Sequence, residues 1–201
     1  MSNVKSVSLS RLFALDSEFA GAQAFWIATF SILTAVAAQI EIPTQPVPFT
    51  FQTLFVLLSG ALLGKRNGFL SMTLYLMLGA VGLPVFSAAG FGLAKLAGPT
   101  GGYLLSFPLA AFVIGYLILH RPVMRNDREG LLQKFITEYG WTIGSMALGL
   151  LIVFVFGTVQ LKIVYFQDWG AAIRSGFLMF SLWDAVKLLA AAAIAQQFIR
   201  R

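Results

Sequence analysis

The sequence predicts an all-α membrane protein of six transmembrane helices with both termini cytoplasmic. Three observations predict it. Hydrophobic residues make up 58% of the 201-residue chain and charged residues only 11%, where soluble domains carry about 25% charged residues. Mean hydropathy is +0.82. The charges are also segregated: residues 19–40, 42–64, 67–94, 96–120 and 139–161 contain no Asp, Glu, Lys or Arg, and residues 175–199 contain only Asp184 and Lys187. Because about 20 mostly apolar residues cross a bilayer, six crossings use up the chain and leave no length for a soluble domain. The expected organisation is a cytoplasmic lead over 1–18 and one transmembrane domain over 19–201.

The basic residues set the expected orientation. Lys5, Arg11, Lys65, Arg66, Arg121, Arg125, Arg128, Lys134, Arg200 and Arg201 fall at the N-terminus, after the second and fourth spans, or at the C-terminus. The positive-inside rule makes those places cytoplasmic; Lys95 and Lys162 then lie in outer loops. The net charge of +6 therefore reads as membrane topology and not as a nucleic-acid surface. With no cysteine and His120 as the single histidine, disulfides, thiolate nucleophiles and Cys/His metal sites are excluded. Asp16 and Glu18 ahead of a full-length first span argue against a removable leader.

Each element follows in order. Span one covers 19–42 and is closed by Pro43, and the following TQPVP cannot continue a helix because proline lacks the N–H and restricts the residue before it. Within it Ala20, Ala24 and Ala28 form a small-residue stripe suited to close docking of another helix. Span two, 50–64, is short for a crossing, so the loop 43–49 is expected to fold inward, as irregular backbone does when buried against protein or lining a cavity. Lys65 and Arg66 end it inside. Span three runs over 67–83 and stops at Pro84. A loop rich in glycine and small residues, PVFSAAGFGLAKLAGPTGG, leads to span four, from Tyr103 to near His120. The charged segment 121–138 is a solvated connector. Span five, 139–161, carries Gly140 and Gly144 at helix-packing spacing, and the last span takes 181–201.

Asp184 and Lys187 stand three residues apart and so share a helix face. A charge near the bilayer centre costs about 2.5–3.5 kcal/mol on insertion scales, which makes an intramembrane acid–base pair a candidate functional site. A structural ion pair, or a cap in which Ser181 and Asp184 form a capping box, accounts for the same residues. Spans two, four and six all begin at the outer face, near Thr50, Gly101 and Ser181. Helix N-termini attract anionic groups, so an outward-facing pocket for a small acid is expected, with Gly98, Gly101 and Gly102 allowing close approach of a ligand. Phe49, Phe51, Phe86, Phe91, Tyr103 and Trp183 fall near the outer ends as interfacial anchors or as apolar walls. The segment GALLGKR (60–66) lacks the glycine spacing, the Ser/Thr and the preceding strand of a phosphate-binding loop, so the chain carries no ATP-binding module of its own.

Three separated segments carry a family resemblance: IPTQPVPFTFQTLFVLLSGALLGKRNGFLSMTLYLMLGAVGLPVF, then GPTGGYLLSFPLAAFVIGYL, and finally DAVKLLAAA. In these the chain resembles BioY, the biotin-binding S component of energy-coupling-factor (ECF) vitamin transporters. The resemblance implies an S-component bundle of six helices in the cell membrane. It implies biotin as the ligand, no cofactor in this chain, and ATP used only through partners, a transmembrane T component and two ATPase subunits. It further implies a biotin site at the D-x-x-K pair Asp184 and Lys187, at Phe49, Thr50 and Gln52 of the P-F-T-x-Q-T motif (which also holds Pro48 and Thr53), and at Thr100, Gly101, Gly102 and Tyr103 of G-P-T-G-G-Y. Ser87 is the polar residue nearest to where members often carry Asn after P-V-F, and Leu182–Trp183 replace the frequent Pro-Gly. An S component for another vitamin-like acid, an intramembrane enzyme using Asp184 and Lys187, and a structural membrane subunit are the competing readings. The enzyme reading lacks a second carboxylate, a catalytic histidine and a nucleophile motif.

Overall fold

The computed structural model describes residues 20–121, 131–178 and 181–199; within these, the side chains of 20, 131–138 and 181–182 are not described. The lead expected over 1–18, most of the connector 121–138 and the Ser181 side chain of the expected capping box lie outside the described residues or side chains. The described chain is mostly helical: α1 (Ala20–Gln39), α2 (Gln52–Ala80), α3 (Gly92–Ala97), α4 (Gly101–Leu119), α5 (Leu131–Leu161), α6 (Trp169–Ile173) and α7 (Ser181–Ile199). Among the described residues, four segments are long and apolar enough to cross a membrane, Gly21–Gln39, Gly101–Leu119, Tyr139–Phe166 and Trp169–Ile199. This is a multi-pass helical membrane protein.

Spans two and three of the sequence reading form α2, broken at Gly64, whose backbone (φ 76°, ψ 179°) is not helical. That positive φ favours glycine, and it reverses the chain. Limbs 52–63 and 65–80 fold back on one another: a Cβ at Gly68 would lie 2.9 Å from the Ser59 carbonyl oxygen, and Gln52 Nε2 donates to the Tyr75 hydroxyl. The α4 helix closes on this turn. A Cβ at Gly115 would overlap the Lys65 amide nitrogen, and one at Gly60 would come within 2.6 Å of the Ala111 carbonyl oxygen. Lipid is as apolar as a side chain, so helix association rests on such close packing. By contrast a Cβ at Gly140 or Gly144, expected to mediate an approach, would meet nothing within 4 Å among the described residues. Large apolar side chains such as Phe25, Ile32, Val155 and Phe156 face outward, as a hydrocarbon solvent requires.

The helix ends differ from expectation where a competing interaction takes the residue. Span two starts at Gln52 because Thr50 belongs to a two-stranded ribbon, β1 (Glu41–Ile42) and β2 (Phe49–Thr50), antiparallel with Glu41 opposite Thr50 and Ile42 opposite Phe49. The loop between the strands turns inward, with Val47 buried in the core. The glycine-rich outer loop is not wholly irregular: it holds a 3₁₀ turn, Ser87–Ala89, and α3. Beyond α5 the helix continues as a π-helical turn, Lys162–Phe166, before Gln167 (φ 55°) ends it and Asp168 caps α6 by accepting from the Ala171 amide at 2.7 Å. A second π-helical turn, Arg174–Leu178, follows α6.

Candidate ligand site

The first turns of three helices meet at one cavity. From α2 come Gln52 and Thr53, from α4 its N-cap Thr100 together with Tyr103, Leu104 and Phe107, and from α7 Asp184 and Lys187; Val47, Pro48 and Thr50 cover one side, Ser87 another, and Val153 and Phe154 of α5 the back. The cavity measures about 50 Å³. Each helix contributes its N-terminal end, where unpaired N–H groups concentrate partial positive charge. Asp184, in the first turn of α7, complements that charge.

Asp184 and Lys187 are only 2% and 9% exposed, and the ammonium is fully engaged. Lys187 Nζ lies 2.6 Å from Asp184 Oδ1. It also donates to the Thr53 hydroxyl at 2.8 Å and to the Thr50 carbonyl at 2.9 Å. An ammonium has three protons, and here three protein acceptors take them. The Thr53 hydroxyl in turn donates to Asp184 Oδ1 at 2.8 Å. Thr53 therefore bridges the two charges, while Lys187 ties the end of β2 to α7. A buried pair is tolerable only when its remaining hydrogen-bonding capacity is met, and this cluster meets it for the cation. Thr53→Val keeps the approximate shape and removes the bridge. It is expected to lower unfolding free energy in mixed micelles by about 1.5–3 kcal/mol, the range for hydrogen bonds to charged groups; unchanged stability would show the bridge to be dispensable.

A second polar chain links the two outer loops. The Thr50 hydroxyl donates to Gln52 Oε1 at 2.8 Å, Gln52 Nε2 donates to the Tyr75 hydroxyl, and that hydroxyl donates to the Val85 carbonyl at 3.2 Å. Tyr75 is fully buried, with Phe86 edge-on at 5.5 Å and Phe107 stacked at 6.4 Å. On the α4 side, Thr100 Oγ1 is buried with no hydrogen-bond partner among the described residues, while the Tyr103 hydroxyl donates to the Gly176 carbonyl at 2.8 Å. The cavity thus presents hydroxyl and carboxylate groups on walls of Val, Leu and Phe, the composition typical of small-molecule pockets.

The sequence profile of the BioY family matches residues 11–201. The chain belongs to the BioY family. Similar BioY proteins include the "Biotin transporter BioY" of Thermotoga maritima, 42% identical over 83% of this chain and 89% of that one. Another is the "Probable biotin transporter BioY" of Pyrococcus horikoshii, 37% identical over 85% of this chain and 92% of that one. The fold is shared with the crystal structure of the S component for biotin from an ECF-type ABC transporter, with a TM-score of 0.77 over 89% of this chain and 91% of that one at 22% identity.

Within this BioY family fold, the structure brings Asp184, Lys187, Gln52, Thr50, Ser87, Thr100 and Tyr103 to the one cavity. It does not bring Phe49, Gly101 or Gly102 to it. Phe49 packs from β2 against the apolar core. At both glycines protein fills the side where a Cβ would stand: one at Gly101 would overlap the Leu96 carbonyl oxygen, and one at Gly102 the Phe156 carbonyl oxygen. Gln160 of α5 reinforces this join by donating to the Leu96 and Gly98 carbonyls at 2.9 and 2.7 Å. On α1, Ala24 is exposed and Ala28 half-buried, and the Ala20 side chain is outside the description. The sequence reading gave no role to Thr53, although it stands in the P-F-T-x-Q-T motif. It also missed Val153 and Phe154, for which no spacing signal exists in a uniformly apolar helix.

Proposed function

We propose that this protein is the substrate-capture (S) component of an ECF-type transporter, binding biotin in the cavity above Asp184 and Lys187 for uptake driven by partner subunits. The observation that carries the proposal is the buried Asp184–Lys187 pair at the floor of a cavity built from three helix N-termini. The names of the relatives and the shared S-component fold support the same reading. A transporter family also leaves no place for the intramembrane-enzyme reading.

Counting both limbs of α2 with α1, α4, α5 and α7 gives six crossings. Lys65 and Arg66 directly follow the Gly64 break, and by the positive-inside rule this supports a cytoplasmic side, at the cell (inner) membrane, for that turn and for both termini. The cavity then opens outward. Biotin offers two ureido N–H donors and one carbonyl. The Asp184 carboxylate accepts from the donors, while the Lys187 ammonium reaches the carbonyl by exchanging one of its three protein acceptors. Thr100 and Ser87 supply further hydroxyls, and Leu104, Phe107, Val153 and Phe154 enclose the thiophane ring and valerate chain. Ligand pockets usually measure about 300–1,000 Å³ against about 50 Å³ here, so loop 43–49 and the Ser87 turn part to admit the ligand and then close. No cofactor is needed in this chain. ATP is hydrolysed by two partner ATPases and coupled through a T component, for which the open stripe at Ala24 and Ala28 offers close helix packing.

Mass identification of the small molecule copurifying with the chain tests the proposal. Biotin is the expected ligand, displaced by added labelled biotin and not by excess lipoate or other small carboxylic acids. Retention of a different acid would assign the site to another vitamin-like substrate. Retention of none, with no binding of labelled biotin, would leave the charge cluster a structural device.

A further inference from the structure

Ser87 reaches the cavity from a turn whose backbone is unfavourable for its own residues. Ala88 (φ 55°, ψ 41°) and Ala89 (φ 51°) both occupy the left-handed region, where a Cβ meets the following carbonyl and only glycine rests freely. Two such alanines in succession persist only where neighbouring structure over-determines them, an arrangement that clusters at ligand clamps. The neighbour here is Gln39, the last residue of α1. Its Nε2 donates to the Phe86 carbonyl at 3.0 Å, and its Oε1 accepts from the Ala89 amide at 3.1 Å. One carboxamide thus grips the turn on both sides of Ser87.

The rest of the turn is anchored as well. Phe86 is fully buried, and its ring occupies the space where a Cβ at Gly79 would stand. Its amide donates to the Gly90 carbonyl at 3.0 Å, and the Gly90 amide donates to the Ser87 carbonyl at 3.1 Å. Those contacts fix where the turn begins and ends. Among the described residues, only Gln39 donates or accepts through a side chain inside it, at the strained alanines.

We propose that Gln39 is a positioning residue: by holding Phe86 and Ala89 it keeps the Ser87–Ala89 turn closed against the cavity and thereby slows ligand escape. The second half of this rests on the cavity being the biotin site. The first half does not.

The absence of cysteine from the chain gives a direct readout. In a Ser87→Cys protein the buried thiol is expected to react slowly with a water-soluble maleimide, and adding Gln39→Ala should speed labelling about tenfold. Adding Ala89→Gly to that protein should restore most of the protection, because glycine adopts the left-handed backbone without the clamp. Gln39→Glu keeps the acceptor for Ala89 and loses the donor to Phe86, so it should fall between. In the chain with Ser87 intact, Gln39→Ala should release labelled biotin about tenfold faster. An unchanged labelling rate overturns the proposal, as does faster labelling with unchanged biotin release. A wild-type chain that retains no biotin would fail the reading of function instead, and the labelling rate alone then decides whether Gln39 holds the turn.

Discussion

Lys187→Met is expected to destabilise the purified protein by about 3–5 kcal/mol, the usual penalty for breaking a buried ion pair by removing one partner. The loss is large because Lys187 serves three acceptors at once: Asp184 Oδ1, the Thr53 hydroxyl and the Thr50 carbonyl. Without the ammonium, the Asp184 carboxylate, 2% exposed, keeps only the Thr53 hydroxyl on Oδ1. Adding Asp184→Asn should recover most of the stability, since the buried charge is gone and the amide oxygen still accepts from Thr53. Unfolding in mixed micelles of the two single variants and the pair measures this as a double-mutant cycle. Additive losses across the cycle would mean that the two charges do not act as a unit.

Gly101→Ala is expected to destabilise the empty protein at the upper end of the about 1–3 kcal/mol typical of overpacking. A Cβ there lies 2.5 Å from Gln160 Nε2, which can swing away, but it also overlaps the Leu96 carbonyl, backbone that cannot. Gln160 would also lose its grip on Leu96 and Gly98, loosening the loop that presents Thr100. The same unfolding titration without ligand checks this. Wild-type stability combined with lost biotin binding would instead restore the reading in which Gly101 makes room for ligand.

These cases show what the sequence discloses and what it withholds. Asp184 and Lys187 were legible because charge in an apolar run is costly and therefore conspicuous. The Gly64 reversal was legible for the same reason, since Lys65 and Arg66 interrupt the run where the chain turns. Prolines 43, 46 and 48 marked a loop, and Val47 folds inward from it as expected. Bilayer helices, however, are apolar on the face toward lipid and on the face toward protein alike. Nothing in the pattern of α5 could therefore separate Val153, at the cavity, from Val155, at the lipid. Glycine has the same ambiguity: Gly101 and Gly102 each face a backbone carbonyl on the Cβ side, while Gly140 and Gly144 face nothing among the described residues. Thr53 escaped notice because its role depends on a partner 131 residues away in the chain. Short elements set by tertiary contacts, such as α3, α6 and the Ser87 turn, leave no hydropathy signature at all.

The most direct test of the central claim, that the Asp184–Lys187 cluster is a ligand site and not only a structural pair, is equilibrium binding of labelled biotin to the Asp184→Asn/Lys187→Met double variant. The expected result is a protein that folds with near wild-type stability and binds biotin about 100-fold more weakly or not at all, having lost the charge-assisted hydrogen bonds of the cavity floor. A double variant that folds and binds biotin with wild-type affinity would contradict it.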